Sequence, residues 1–172
     1  KRNVLGQFEA ALAMLNVCLV KCPDEHWDGP IAKYPFWQAA YHTLCFVDCY
    51  LSPSNEAFAE LLKQRAATDG PASTLHPLGM AELEEEYPSR RFDRGELLGY
   101  VGLCRAKLKA VLGDEPGSET ARSLDGPSGF GWLPFTRAEL HLYNLRHVQH
   151  HAGQLGAYLR RAGVDVGGWA RS

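Results

Sequence analysis

Seven histidines stand in this chain, and two of them, His147 and His151, lie four residues apart in HLYNLRHVQHHAGQLGAYL. On a helix that spacing stacks the two side chains on one face, with Cβ atoms about 6 Å apart. Two imidazoles so placed can grip one metal ion, since a ring nitrogen binds zinc-like ions at about 2.0–2.1 Å. A pair does not complete a site. His42, the sole histidine of the aromatic stretch FWQAAYHTLCFVDCYL, is the third ligand candidate. In helical assemblies metal ligands project inward from facing helices toward one point. Three neutral imidazoles with an open coordination position describe a catalytic or substrate-binding centre, and divalent Ni, Zn or Fe suits them.

The residues around the triad extend this reading. Leu140, Asn144, His147, His151, Leu155 and Tyr158 fall on one helical face, which is expected to be the core-facing stripe. Gln154 and Asn144 are candidates to orient the imidazoles. Tyr143, Arg146 and His150 are candidates for the mouth of a pocket, with His150 peripheral to the ligand set. His26, His76 and His141 read as structural or surface residues. Asp48, six residues after His42, falls on another side of its helix and is a poor ligand. Other plans fail a direct check: the chain has no H-E-x-x-H, no pair of E-x-x-H segments, no phosphate-binding G-x-x-x-x-G-K-[ST] and no G-x-S-x-G. The run GPSGFG follows no strand pattern and reads as a flexible loop.

Helices must carry these groups. Leu5, Phe8, Leu12, Leu15 and Leu19 step by three and four along residues 3–21, and Cys22-Pro23-Asp24 ends that helix. The connector DEHWDGPIAKYP follows. A second helix is expected from about Tyr34–Pro35 to just before Ser52-Pro53, buried nearly all round, and a shorter amphipathic one over Ser54–Ala67. Turn residues and an acidic patch, Glu82–Glu86, come next, the patch read as a solvated face. Asp93-Arg94-Gly95-Glu96 is a capping-box pattern that opens a third long helix ending at Gly113, and Thr136-Arg137-Ala138-Glu139 opens a fourth, ending near Ala162 before Gly163. Between them residues 114–134 form a long Gly-, Pro- and Ser-rich loop. No β alternation interrupts the series. The expected fold is all-α, a four-helix bundle with one additional short helix, as a single domain over residues 1–172.

Composition agrees. Residues 1–172 suffice for one domain, and 45% hydrophobic with 22% charged residues suits a packed core. The net charge of −2 argues against nucleic acid or anionic lipid as the main partner. The mean hydropathy is −0.26, and no run of about 18 apolar residues is found, so no membrane-spanning helix is expected. KRNVLGQFEAALAML, charged and then amphipathic, is expected to be a helix of the fold and not a secretory signal. Cys18, Cys22, Cys45, Cys49 and Cys104 are odd in number, mostly in apolar stretches, and form no C-x-x-C. They read as small core residues of a reducing, cytoplasmic protein.

His147-Val148-Gln149-His150-His151-Ala152-Gly153-Gln154-Leu155 resembles the H-x-x-H-H-x-G-Q-hydrophobic block in the last long helix of the DinB-like (YfiT-like) four-helix-bundle family. His42, following the Trp27–Trp37 connector, matches that family's third histidine. Ala152 stands where many members have Arg. The resemblance implies a divalent metal held by His42, His147 and His151, and a homodimer. It also implies chemistry such as thiol-dependent S-transfer with a low-molecular-weight thiol co-substrate, or a related hydrolase-like reaction, on a small electrophile. A metal-binding or stress-related dimeric scaffold without turnover is the alternative.

Overall fold

In the computed structural model the described residues are 2–68, 70–73, 90–113 and 124–170, and they are mostly helical. His76, the acidic patch Glu82–Glu86 and residues 114–123 of the long loop lie outside them. Among the described residues five α-helices occur in chain order: α1 (Arg2–Lys21), α2 (Phe36–Tyr50), α3 (Asn55–Arg65), α4 (Arg94–Leu112) and α5 (Arg137–Arg161). Local chemistry sets their starts. The Asp93 carboxylate accepts from the Glu96 backbone N–H at 2.8 Å, and the Glu96 carboxylate accepts from the Asp93 N–H at 2.9 Å. Thr136 and Glu139 repeat this reciprocal cap at α5, and Ser54 accepts from the Ala57 N–H at α3. Gly163, at φ +81°, turns the chain out of α5 while the Val164 N–H closes back on the Leu159 carbonyl at 2.9 Å.

The four long helices meet in pairs, α1 and α2 each packing on both α4 and α5. Phe8, Leu12, Leu15 and Leu19 of α1 meet Leu97, Val101 and Leu108 of α4 and Leu155 and Leu159 of α5 in one hydrophobic core. Every residue of α2 is buried, as its apolar run predicts. By length and composition alone Asn3–Lys21 is long and apolar enough to cross a bilayer, at a mean hydropathy of 1.4, a test that a buried core helix also passes. Gln7, Glu9 and Asn16 interrupt the apolar run, but the mean stays high because Glu9 is the only charge before Lys21 in that window. The cysteines are all buried and free, and burial pushes the thiols up, Cys18 to about 11 and Cys22 to about 12. Such thiols are inert core groups.

Two segments depart from expectation. Pro30–Ile31 and Tyr34–Pro35 pair as a two-stranded antiparallel hairpin, β1 and β2, within the connector. Its tip residue Ala32 has φ +54°. The GPSGFG segment is a packed turn rather than a free loop: the Ser128 hydroxyl donates to the Leu133 carbonyl at 2.8 Å, Phe130 is buried, and a Cβ on Gly129 would sit 2.1 Å from the Pro53 carbonyl oxygen. Buried Arg137 locks this turn by donating to the Ser128 and Leu51 carbonyls.

Asp48, fully buried on α2, holds the opposite side of that helix. Lys107 of α4 donates to its carboxylate at 2.6 Å, Arg65 of α3 at 2.5 Å and the Tyr100 hydroxyl at 3.2 Å. Lys107 also donates to the Asp48 carbonyl and the Ser52 hydroxyl. A buried carboxylate is tolerated only with such partners.

His141 is buried on α5 with no hydrogen-bond partner for Nδ1 among the described residues. Desolvation, aided by the Arg137 charge, pushes its pKa down to about 4 from 6.5. The unfolded chain therefore binds an extra proton between these values. This contribution to stability is complete above pH 6.5 and is lost as the pH falls through 4, amounting to about 3 kcal/mol by linkage. Urea melts at pH 7 and pH 4.5 should show that loss, and His141→Gln should make the pH dependence shallower. Equal pH slopes for the two proteins would refute the assignment.

Candidate metal centre

His42 lies on the inner side of α2, where burial of the whole helix leaves its ring 5% exposed. His147 and His151 lie one turn apart on α5, and α2 packs directly on α5. The three histidines therefore converge across that helix contact, with one donor nitrogen from each all within 4.8 Å of one another. The Nε2 atoms of His42 and His147 are 3.1 Å apart. Phe46, one turn after His42, sits against both rings, at 4.8 Å from His42 and 5.6 Å from His147 between centroids.

Gln154 sets the state of His151. Its Oε1 lies 2.9 Å from His151 Nδ1, and as a carbonyl oxygen it accepts the Nδ1–H. That places the lone pair of the neutral ring on Nε2. Burial pushes the His151 pKa down to about 4, outweighing the Gln154 bond, and the neighbouring His150 acts in the same direction. His151 is thus neutral at pH 7 and presents a σ-donor. A metal–nitrogen bond of about 2.1 Å and a bond angle of roughly 90–110° separate two donors by about 3.0–3.4 Å. The His42–His147 distance of 3.1 Å meets that requirement, and the donor set fits a divalent transition metal.

A cleft of about 620 Å³ opens directly onto the triad. The hairpin residues Ile31–Tyr34 form one wall, Ala39 and His42 of α2 the floor, and α5 from His147 to Gln154 the other wall. A second groove, about 490 Å³, runs along the outer side of α5 past Tyr143, Arg146 and Gln149 and shares His147 and His150 with the cleft.

The placement of the expected residues is mixed. The structure brings together His42, His147, His151 and Gln154, with exposed His150 on the rim, its ring 5.0 Å from that of His151. Asn144 is corrected: it is fully buried and donates to the Val47 carbonyl at 3.4 Å, so it ties α5 to α2 and bonds no imidazole. Tyr143 lines the outer groove, not the triad cleft, and its ring packs on Tyr50 and Phe135. The core stripe of α5 is also corrected. Leu140, Asn144, Val148, Ala152, Leu155 and Leu159 face inward, while His147 and His151 are half-buried on its border. Small Ala152 and branched Val148 admit closer packing than imidazoles, which rotates the helix and leaves the donors beside solvent. His26 is structural, its Nδ1 3.0 Å from the Tyr158 hydroxyl.

Sequence reasoning missed the hairpin wall and the role of Phe46. The two prolines that bracket Ile-Ala-Lys-Tyr were the available signal for a tight reversal, but strands of two residues carry no alternation. Compared with known proteins, the chain matches no family model, no curated protein and no solved structure.

Proposed function

We propose that this chain is a four-helix bundle of the DinB-like type that holds one divalent metal on His42, His147 and His151. In this reading it is a metal-dependent enzyme that joins a low-molecular-weight thiol to a small electrophile, or acts on such a compound as a hydrolase. The observation that carries it is the meeting of three imidazole donors in the lining of an open cleft. When bound, the cation would supply Lewis acidity, holding a thiol as thiolate or lowering the pKa of a water ligand.

The chain's own residues do the rest. Three neutral imidazoles add no negative charge, so the cation's charge is left to act on the ligand it admits. Gln154 fixes the tautomer and tilt of His151, as outer hydrogen bonds do for metal-binding histidines. Phe46 closes the inner side of the triad to water, and the Ile31–Tyr34 wall limits approach to one direction. In S-transfer the thiol sulfur bonds to the electrophilic carbon. The leaving group departs with its electron pair, and the thiol proton goes to solvent.

Elemental analysis of protein purified without chelator, followed by conjugation of small thiols to 1-chloro-2,4-dinitrobenzene, tests this. About one metal per chain and a rate above the uncatalysed reaction, removed by chelator and restored by metal, is the expected result. No metal uptake from Ni, Zn or Fe solutions overturns the site. Stoichiometric metal without turnover on any thiol or ester overturns the enzymatic part and leaves a binding scaffold.

A further inference from the structure

The cleft over the triad has two unlike sides. The α5 wall presents imidazoles and an amide, whereas the hairpin and the floor present Ile31, Ala32, the Tyr34 ring and Ala39 around His42. Lys33 also lines the hairpin side, with its ammonium 5.1 Å from the Tyr34 ring centroid. Two of the apolar positions say more than their chemistry. Ala39 precedes His42 by three residues, so the two share a face of α2, and the side chain beside that ligand ends at a methyl group. Ala32, exposed at the hairpin tip, holds φ +54°, a conformation that is costly for a residue with a Cβ and costs glycine little. Such backbone outliers collect where a ligand is held, and this one puts its methyl in the lining of the cleft. The first hairpin strand packs on both α2 and α5, so the apolar wall is fixed relative to the donors.

We infer that the compound taken by the triad carries an apolar body the size of a phenyl ring beside the head that meets the metal, and that Ala39 and Ala32 are its specificity-determining residues. This rests on the metal-site reading above and names its substrate class. Small-molecule sites are mostly apolar, with a few polar groups that fix orientation, and a cleft of about 620 Å³ is of their size. Here the imidazoles fix the head and the hairpin side takes the body. Apolar area removed from water favours the larger body over the smaller one. The room for it depends on position 39, where a longer side chain would fill the space beside His42. The methyl of Ala32 extends the same surface to the rim of the cleft.

Two chelators that share a head and differ only in a methyl against a phenyl group make the test: acetohydroxamate and benzohydroxamate. Their binding to the metal-loaded full-length chain is measured by calorimetry, with metal content determined on the same samples and the free ion as reference. Benzohydroxamate should bind the protein about tenfold or more tighter than acetohydroxamate, beyond any ratio the two show for the free ion. Ala39→Leu should cut that ratio below about threefold with metal content unchanged. Ala32→Gly, which suits the turn and removes only the methyl, should lower it about twofold, so the test stands even if the leucine variant fails to fold. Ala157→Leu, on the exposed face of α5 and outside the cleft, should leave the ratio as it is. A wild-type ratio no larger than that of the free ion, or one that survives both cleft variants, overturns the inference while leaving the metal site standing. Should the protein take up no metal, the metal reading fails on its own. Benzamide binding to the metal-free chain, followed by NMR, then decides the apolar cleft: binding that Ala39→Leu abolishes supports it, and no binding overturns it.

Discussion

Replacing His147 by alanine is expected to weaken metal binding by more than about 100-fold, because it removes one of the three converging donors. The described acids near α5 do not line the cleft, and His150 points its ring along the rim beside His151. The fold should survive. His147 is half-buried on the border of the α5 core stripe, so the loss is about 1 kcal/mol from its contact with Phe46. Competition with a chromophoric chelator gives the affinity, and circular dichroism reports the fold. Gln154→Leu is the graded companion. It keeps all three donors but frees the His151 ring from its Oε1 partner, for an expected loss of about tenfold, which Gln154→Glu should largely avert. Unchanged affinity in His147→Ala would place the metal elsewhere.

The second large effect concerns stability. Asp48→Ala leaves Lys107 and Arg65 facing each other's charge in a mostly buried site, with side chains only 17% and 18% exposed. Removing one member of a buried ion cluster costs about 3–5 kcal/mol, which for a chain of this length lowers Tm by about 6–20 °C. The penalty comes from removing the carboxylate that both cations face and not from the worth of the pairs themselves. The triple replacement Asp48→Leu, Arg65→Leu and Lys107→Leu should therefore recover much of the loss. Thermal melts of the single and triple variants test this. A single-variant loss under about 1 kcal/mol would mean that the carboxylate does not hold α3 and α4 to α2.

What could be read from the chain divides along the range of the interactions. The caps at Asp93 and Thr136 are local, each closed within four residues, and they were legible as written. So was the i,i+4 pairing of His147 with His151, which needs only helix geometry. The tilt of α5 was not. It depends on Val148 and Ala152 fitting against neighbours more than a hundred residues away, a packing result that periodicity reports only to within one position of the helical wheel. Asp48 shows the same limit: it is the one acid of α2, and its role lies in Arg65 and Lys107, supplied by two other helices. The hairpin was hidden for a different reason. Its tip uses Ala32 at positive φ where glycine is the residue that announces such a turn.

The position of α5 also has a consequence for how the chain acquires its structure. His42 and His147 are 105 residues apart, and α5 is the partner of both α1 and α2. Until α5 has emerged, α1 and α2 can share only α4, and each keeps an apolar face turned to water. Docking of α5 is the longest-range closure among these helices, and the interval before it, with apolar faces exposed, is the one most open to aggregation. The helix that brings two of the three imidazoles is thus also the one whose arrival completes the core.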